Sequence, residues 1–331
     1  MEALLTGGSG FVGINIAEAL LEKGVNVTVY SRRKIPEQAI KELSGLPGKL
    51  KWAKGDVLDE ARISEVLEEN GIEAVVHAAA ITPGLEREKE QMPQIVRVNV
   101  LGTLNVLEAA RKHSVSKFIY VSSVAVYGNA SQKHDPVYED VEKNPHNTYE
   151  LSKYATENLV KRYRELHKMK IAALRLGDVF GAWEYMTGVR DTLSAPYQCL
   201  KAAMLGQKII LPKEANTGWV YGKDCGLAVS ALLGADQLNH FVYNCGSIYR
   251  WSIRQFCERL KEHYPNFDYS MGDFETATIR FHAVEDNGMF DMSRIEADTG
   301  FVPVFDLDRC AQHYMAWADK YPELTLQEPE R

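Results

Sequence analysis

The chain has 331 residues, of which 45% are hydrophobic and 25% are charged, and its formal net charge at pH 7 is −7. This composition excludes a low-complexity chain and is that of a globular protein with room for one large α/β unit and an added lobe. The negative charge argues against a nucleic-acid partner, because basic surfaces bind phosphate backbones.

Cysteines, histidines and apolar runs exclude further classes of protein. The five cysteines are scattered without a C-x-x-C pair, and we expect reduced thiols rather than a disulfide framework or a zinc site. The histidines show no H-E-x-x-H spacing, and we predict no metal. No apolar run has the length of a membrane-spanning helix, and the first predicted strand begins almost at the first residue. We therefore expect a cytoplasmic protein without a signal peptide or a membrane partner.

The first predicted strand, residues 3–5, runs directly into a glycine-rich turn. The turn is Thr6-Gly7-Gly8-Ser9-Gly10-Phe11-Val12-Gly13, and residues 14–23 then have helical spacing and stop at Gly24. The glycines at 7, 10 and 13 permit a sharp turn, close approach of a pyrophosphate, and close packing of the helix on the strand. The free N–H groups of the first helical turn would face the phosphates. Strand, turn and helix in this order predict a dinucleotide-binding site.

The end of the second predicted strand, residues 26–30, indicates the kind of dinucleotide. An acidic residue at this point would bind the free 2′-hydroxyl of NAD, but the chain has Ser31, Arg32 and Arg33. Guanidinium groups pair with a 2′-phosphate, which a carboxylate would repel. The sequence therefore favours NADP over NAD, with solvated loop charges as the alternative interpretation of the two arginines.

The next part of the chain continues the alternation of strands and helices. Strands are predicted over 50–54, 74–77 and 117–121, and helices over about 61–70 and 92–113. The strand at 74–77 is continuously apolar, as buried parallel strands are, and it runs into Ala78-Ala79-Ala80. These small side chains would let a flat nucleotide lie against the backbone, although tight packing explains them almost as well. The alternation predicts an α/β fold with a doubly wound parallel sheet, the Rossmann fold.

Two regions follow from this pattern. With a helix at 149–167 and a strand at 171–176, residues 1–176 are predicted to form the dinucleotide-binding domain. Residues 177–331 are predicted to form mainly a smaller α/β lobe that closes a substrate cleft, with a segment at about 220–245 returning to the first domain. Its predicted helices are 192–205, 223–234, 253–263 and 306–320, and its predicted strands are 209–211 and 241–244.

Tyr149 and Lys153 lie four residues apart at the start of a predicted helix, and therefore on one face. A tyrosine with an ordinary pKa of about 10 is a poor base at neutral pH, but a nearby ammonium group favours the phenolate and lowers that pKa. The same lysine can hydrogen-bond a nicotinamide ribose. By itself this spacing is also typical of a helix surface, and Ser123 alone is unremarkable.

Together, these segments resemble the extended short-chain dehydrogenases/reductases, the branch that contains NAD(P)-dependent nucleotide-sugar epimerases and dehydratases. The matching segments are residues 6–13, Gly55-Asp56-Val57-Leu58-Asp59, His77-Ala78-Ala79-Ala80, Asn99-Val100-Leu101-Gly102-Thr103, Ser122-Ser123 through Tyr127-Gly128, Tyr149 to Lys153, and Leu174-Arg175 through Gly181. They occur in the family's order and spacing.

The resemblance implies a role for each matching position. Tyr149 would be the general acid/base, Lys153 would hold the ribose and tune Tyr149, and Ser123 would hydrogen-bond the same substrate oxygen. Asp56 and Val57 would flank the adenine. The segment Ala78 to Ala80 and Asn99 would line or support the cofactor. The implied reaction interconverts a secondary alcohol and a ketone on a carbohydrate-like small molecule, a sugar or nucleotide sugar, by hydride transfer with the nicotinamide.

Departures from the family pattern keep the substrate open. Dehydratases carry an Asp-Glu pair where this chain has Val124-Ala125, which disfavours loss of water. Epimerases usually have an asparagine at Asp178 and an arginine near Thr217 for the substrate diphosphate, which an aspartate would repel. The residues that could offset this charge are Lys213, Lys223, Arg250 and Arg280.

Two alternatives to a sugar or nucleotide-sugar epimerase therefore remain. One is an NADPH-dependent reductase or dehydrogenase of a smaller hydroxy compound, such as a sugar acid or a ketone, and the other is a non-catalytic NADP-bound regulator. The resemblance also implies a homodimer through a four-helix bundle of the helices 92–113 and 149–167.

Overall fold

Strands and helices alternate over most of the first 176 residues of the computed structural model, which describes residues 1–327. The strands are β1 (Glu2–Thr6), β2 (Asn26–Ser31), β3 (Leu50–Lys54), β4 (Ala74–His77), β5 (Lys117–Ser123), β6 (Ile171–Leu176), β7 (Val179–Phe180), β8 (Lys208–Leu211), β9 (Asn216–Thr217), β10 (Val220–Tyr221), β11 (Val242–Cys245), β12 (Trp251–Ser252) and β13 (Asp268–Met271). The helices are α1 (Phe11–Glu22), α2 (Glu37–Leu43), α3 (Glu60–Glu69), α4 (Leu85–Val96), α5 (Gly102–Lys112), α6 (Thr148–His167), α7 (Ala195–Met204), α8 (Gly222–Gly234), α9 (Ile253–His263), α10 (Ser293–Thr299), α11 (Leu307–Lys320) and α12 (Pro322–Thr325). None of these helices is long and apolar enough to span a membrane.

Seven strands form one parallel sheet in the order β11-β6-β5-β4-β1-β2-β3. The strand order reverses at β1, which pairs with β2 on one side and β4 on the other. Open parallel sheets leave a crevice for ligands at the carboxyl ends of the strands where this reversal occurs. The predicted doubly wound parallel fold is therefore confirmed, and the glycine turn lies at the reversal.

Helices cover both faces of the sheet. Side chains of successive strand residues point to opposite faces, so each strand contributes to both cores. On β1, Leu5 packs into the core shared with α1 and α8, whereas Leu4 packs into the core shared with α3, α5 and α6. Helix α8 approaches α1 so closely that a Cβ at Gly226 would lie 2.2 Å from the Asn15 carbonyl oxygen. Each layer thus has its own buried apolar core.

The single helix predicted over residues 92–113 is wrong in two respects. It begins earlier, with α4 at Leu85, and a π-helical turn over Arg97–Leu101 separates α4 from α5. Gln91 has non-helical dihedral angles (φ −128°, ψ 22°), and Pro93 lies inside α4. Proline lacks a backbone donor and its ring clashes with the carbonyl group four residues earlier, which explains the kink.

The part of the chain after β6 contributes to the sheet and to a separate lobe. Strand β11 pairs in parallel with β6, and α8 packs on α1, so residues 222–245 lie against the central sheet. The lobe contains three two-stranded sheets, which pair β7 with β10, β9 with β12, and β8 with β13. Its core is aromatic and centred on Phe180, whose ring packs edge-on against Tyr221 and Trp251. The elements that the sequence did not predict are α2, α10, α12, β7, β9, β10, β12 and β13.

Candidate functional site

A cavity of about 1790 Å³ runs along the carboxyl ends of the central strands and continues beneath the C-terminal lobe. Its wall contains the three predicted catalytic residues, the predicted substrate residue and all predicted cofactor residues but one. These residues are Gly7, Ser9, Gly10, Phe11, Val12, Gly13, Ser31, Arg32, Arg33, Asp56, Val57, Ala78, Ala79, Ala80, Ser123, Tyr149, Lys153 and Asp178. The cavity therefore joins the glycine turn to Tyr149.

The glycine turn fits a dinucleotide at the level of single atoms. Gly7 has a φ of +73°, and a Cβ there would lie 2.8 Å from the Ala79 backbone. A Cβ at Gly13 would lie 2.2 Å from the Gly7 carbonyl oxygen, so α1 can start here only with glycine. A Cβ at Gly10 would meet only that same oxygen, at 3.4 Å. Gly10 therefore leaves room for a phosphate beside the first N–H groups of α1, which have no partner within the helix.

The end of β2 is shaped by the Ser31 side chain. The Ser31 hydroxyl donates to the Arg33 carbonyl oxygen at 2.7 Å and accepts a hydrogen bond of 3.1 Å from the Trp52 indole. Arg32 and Arg33 follow this bend as exposed residues that line the cavity, and the Arg33 guanidinium donates to the Thr187 carbonyl oxygen. On the neighbouring loop, Asp56 faces the cavity and its Oδ1 accepts from the Leu58 backbone at 3.0 Å.

Asn99 is the one predicted cofactor residue that lies behind the cavity wall. Its amide exchanges hydrogen bonds of 2.8 and 3.0 Å with the backbone of Ile81 and donates to Ser152 at 3.1 Å. It therefore ties the segment after β4 to α6 and does not line the cavity. His77 is buried between the hydroxyls of Thr6 and Thr103, and burial lowers its pKa to about 3, so it is neutral.

Tyr149 and Ser123 come together from the start of α6 and the end of β5. The Tyr149 hydroxyl interacts with the side chains of Ser123 and Thr82, and both interactions lower its pKa. Burial acts in the opposite direction and is the larger effect, so the pKa of Tyr149 is raised above its ordinary value. The lowered pKa of Tyr149 that the sequence predicts is therefore wrong.

Lys153 lies one helical turn after Tyr149 and points toward β5. Its Nζ donates to the Val121 carbonyl oxygen at 3.0 Å and lies 6.0 Å from the centre of the Tyr149 ring. Burial lowers the pKa of Lys153 to about 8, and the negative charge of Glu157 limits that decrease. The ammonium group is thus charged at neutral pH but close to losing its proton.

A buried ion pair holds this part of α6 against the sheet. Arg175 on β6 forms a two-pronged contact with Glu157, whose carboxylate also accepts from Ser122 at 2.9 Å. The same guanidinium donates to the Tyr127 hydroxyl at 2.8 Å. That hydroxyl donates to Asn244 on β11 at 2.7 Å, so the network reaches from α6 to the edge of the sheet.

Asp178 lines the cavity beneath the C-terminal lobe, together with several charged side chains. Asp178 accepts a hydrogen bond of 3.0 Å from Asn287, and burial raises the pKa of Asp178 although the charges of Arg190 and Lys213 lower it. Lys213 itself pairs with Asp286 at 2.6 Å. Of the other cations considered from the sequence, Arg280 lines the cavity, whereas Lys223 pairs with Glu18 at 2.7 Å and Arg250 pairs with Asp135.

Sequence reasoning missed Thr82 and Arg190 as neighbours of Tyr149. Thr82 follows the alanines after β4, and Arg190 lies in the connection between β7 and α7, where it pairs with Glu184 at 3.1 Å. No local pattern marks either residue, because both reach the tyrosine through the tertiary fold. Within residues 1–327 the five cysteines are unpaired and buried, and no cluster of three metal-ligating side chains occurs.

The sequence was compared with protein families and with characterised proteins. It matches the NAD-dependent epimerase/dehydratase family over residues 3–246. A putative UDP-glucose 4-epimerase of Methanocaldococcus jannaschii is 32% identical over 58% of this chain and 60% of its own length. The human dTDP-D-glucose 4,6-dehydratase is 32% identical over 78% of this chain and 72% of its own length.

Solved structures share the fold at lower sequence identity. An epimerase of Methanothermobacter thermautotrophicus superposes with a TM-score of 0.85 at 23% identity, covering 100% of this chain and 95% of that one. A UDP-glucose 4-epimerase of Stenotrophomonas maltophila, solved with NAD and formylated UDP-arabinopyranose, also gives a TM-score of 0.85, at 22% identity over 98% and 99% of the two chains. Because the family match covers most of the sequence, the chain belongs to the NAD-dependent epimerase/dehydratase family of extended short-chain dehydrogenases/reductases, and it is an enzyme that uses a nicotinamide dinucleotide.

Proposed function

We propose that this enzyme interconverts a secondary alcohol and a ketone on the sugar of a nucleotide sugar, with epimerisation as the net reaction. The observation that carries the proposal is that Tyr149, Ser123 and Lys153 lie on the wall of the same cavity as the glycine turn. A bound sugar and a bound dinucleotide would therefore meet beside the Tyr149 hydroxyl. Val124-Ala125, at the position of the dehydratases' acidic pair, favours epimerisation over loss of water.

Each of the three side chains has its own task in this reaction. The bound nicotinamide ring supplies the hydride acceptor for the alcohol and the hydride donor for the ketone. Tyr149 moves the proton at the substrate oxygen, and Ser123 hydrogen-bonds the same oxygen. The raised pKa makes Tyr149 a proton donor to the oxygen of the ketone, and its phenolate takes the proton from the hydroxyl group of the alcohol in the opposite direction. Lys153 holds the ribose, and its charge favours the phenolate when Tyr149 gives up its proton.

We further propose that the dinucleotide is NADP. Support comes from the end of β2, where Ser31, Arg32 and Arg33 stand in place of the carboxylate that binds the 2′-hydroxyl of NAD. The test compares the dissociation constants of NADP and NAD for the wild-type protein, Arg32→Ala and Arg33→Ala. An NADP preference that survives both substitutions, or an NAD preference of the wild type, would contradict the assignment.

The surroundings of Asp178 make it compatible with a substrate diphosphate. The Asp178 carboxylate accepts a hydrogen bond of 3.0 Å from Asn287, which compensates part of its charge. The positive charges of Arg190 and Lys213 act on the same space. We therefore propose that the diphosphate of a nucleotide sugar binds beside Asp178, with these two cations offsetting the charge of its carboxylate.

The deciding experiment supplies UDP-glucose, UDP-glucuronic acid and dTDP-glucose and follows the C4 epimer by NMR. We expect epimer formation with no net change in the absorbance of reduced nicotinamide, and no turnover by Tyr149→Phe. Tyr163→Phe, on the same helix, is the control that retains turnover. Stoichiometric reduction of a smaller ketone would indicate a net reductase instead, and cofactor binding without any turnover would indicate a regulator.

We also propose that the protein is a homodimer. Helices α4 and α6 pack side by side and leave large apolar side chains exposed. These are Met92, Val96, Leu151, Leu159 and Leu166. Exposed apolar surface of this kind is typical of protein interfaces. Sedimentation at micromolar concentration should show a dimer that Leu159→Glu dissociates, and a monomeric wild type would contradict the proposal.

A further inference from the structure

The connection between β7 and α7 crosses the dinucleotide crevice. We call residues 185–191 of this connection the strap; its sequence is Tyr185-Met186-Thr187-Gly188-Val189-Arg190-Asp191. All but Asp191 line the cavity. The strap touches segments that follow three different strands of the central sheet, on both sides of the point where the strand order reverses.

On one side, the strap contacts the glycine turn and the end of β2. The Tyr185 hydroxyl donates to the Ser9 carbonyl oxygen at 2.7 Å, directly above the start of α1. Burial raises the pKa of Tyr185 to about 12, so this donor keeps its proton at physiological pH. Two residues further along the strap, the Thr187 carbonyl oxygen accepts a hydrogen bond from the Arg33 guanidinium.

On the other side, the strap pairs with the segment that follows β4. Thr82 N–H donates to the Val189 carbonyl oxygen at 2.8 Å, and Asp191 N–H donates to the Thr82 carbonyl oxygen at 3.2 Å. Arg87, on α4, donates to the Gly188 carbonyl oxygen and forms an ion pair with Asp191, each at 2.9 Å. The Asp191 carboxylate also accepts from the Gly84 backbone at 2.8 Å.

Glu184 holds the two ends of the strap together. Its buried carboxylate pairs with Arg190 at 3.1 Å and accepts from the backbone and hydroxyl of Ser194 at 2.8 and 2.6 Å. Ser194 is also the residue that caps the start of α7. The strap is thus a preformed loop with a fixed base.

We infer that the strap retains the bound nicotinamide dinucleotide, so that the cofactor leaves only when the contacts of Tyr185 and Arg87 open. This inference rests on the proposed function and extends it. An epimerase returns its hydride to the same sugar and needs no exchange of cofactor, whereas a net reductase has to release it in every cycle. A covered crevice therefore favours the recycling reaction, because lid opening limits the release of what it covers.

Tyr185→Phe and Arg87→Met test the strap from its two sides. Tyr185→Phe removes only the hydroxyl that binds Ser9. Arg87 does not line the cavity among the described residues, so Arg87→Met weakens the strap without altering the cofactor's own contacts. Arg162→Met is the matched control, since Arg162 pairs with Glu165 at 3.0 Å on the exposed surface of α6.

The first measurement is the rate at which the bound reduced dinucleotide, NADPH or NADH, whichever the wild type binds more tightly, is displaced by an excess of its oxidised form, followed by nicotinamide fluorescence. Each strap variant should release the reduced dinucleotide roughly five- to tenfold faster than the wild type, as expected for the loss of one or two hydrogen bonds. The control should release it at the wild-type rate. Equal rates in all four proteins would overturn the inference, as would wild-type release faster than turnover.

The second measurement is hydrogen–deuterium exchange of peptides covering residues 82–84 and 184–194. Arg87→Met should accelerate exchange in both peptides, because their amides bond to each other across the crevice. Unchanged exchange would overturn the inference even if release were faster. Failure of the proposed function is distinguishable: in that case the wild type binds no dinucleotide, or it binds one and forms no epimer.

Discussion

Replacing Glu157 with glutamine tests how the buried ion pair supports the site. The side chains of Arg175 and Glu157 are only 3% and 6% exposed, so Glu157→Gln leaves a buried guanidinium without a countercharge. Removing one partner of such a pair costs about 3–5 kcal/mol, and the isosteric amide, which still accepts one hydrogen bond, places the expected loss near 3 kcal/mol. For a chain of this size that is a decrease in Tm of roughly 4 °C.

The same substitution has a second effect, on Lys153. Glu157 raises the pKa of Lys153, which burial has lowered to about 8, so its neutralisation should lower that pKa further. Cofactor affinity should then decline at a lower pH in Glu157→Gln than in the wild type.

Thermal melting by circular dichroism and NADPH titration between pH 6 and pH 9 measure the two effects. Glu165→Gln, in an exposed pair, is the control and should change Tm by about 1 °C at most. A Glu157→Gln protein that melts like the wild type would refute the stability argument, and an unshifted pH profile would refute the electrostatic one.

Three further predictions follow from the site. The NADPH affinity of the wild type should fall as pH rises through about 8, because the charged form of Lys153 is the one that binds, and Lys153→Arg should move this decline to higher pH. Lys153→Met should raise Tm at pH 7 although it abolishes turnover. Folding lowers the pKa of Lys153 from 10.5 to about 8, so at any pH below 8 the charged lysine destabilises the folded state by about 3 kcal/mol. An unchanged or lower Tm would count against this prediction. The KM for UDP-glucose should be lower in Asp178→Asn than in the wild type, because the substitution removes a negative charge from the surroundings of the diphosphate, and an unchanged or higher KM would count against a diphosphate at this position.

Local features of this site could be predicted from the sequence, because their chemistry depends on residues that are neighbours in the chain. The glycine turn needs only the spacing of Gly7, Gly10 and Gly13, and Tyr149 and Lys153 share a face because they are one helical turn apart. The strand alternation gave the parallel sheet for the same reason. The roles assigned to these residues remain predictions.

Other features depend on the tertiary fold and left no local pattern. Asn99 belongs to a cofactor-like motif, yet the π-helical turn carries its amide to Ile81 instead of the cavity. The direction of the Tyr149 pKa shift follows from burial, which the neighbouring lysine could not indicate. Thr82 and Arg190 are both more than 40 residues from Tyr149 in the chain, and only the fold brings Thr82 to its hydroxyl and the charge of Arg190 within range. The short β13 and α10 span too few residues to show a periodicity.

The hydrogen bond between Trp52 and Ser31 gives the protein a natural optical probe. Of the five tryptophans, Trp52 alone is exposed, at 37%, and the other four are at most 7% exposed. Trp52 is also the one that contacts the bend before Arg32 and Arg33. We therefore expect its emission to respond to a ligand that moves this bend, whereas Trp219 lines the cavity at its other end and contributes a separate signal. Comparing the wild type with Trp52→Phe isolates that signal, so binding of an unlabelled dinucleotide can be followed in real time.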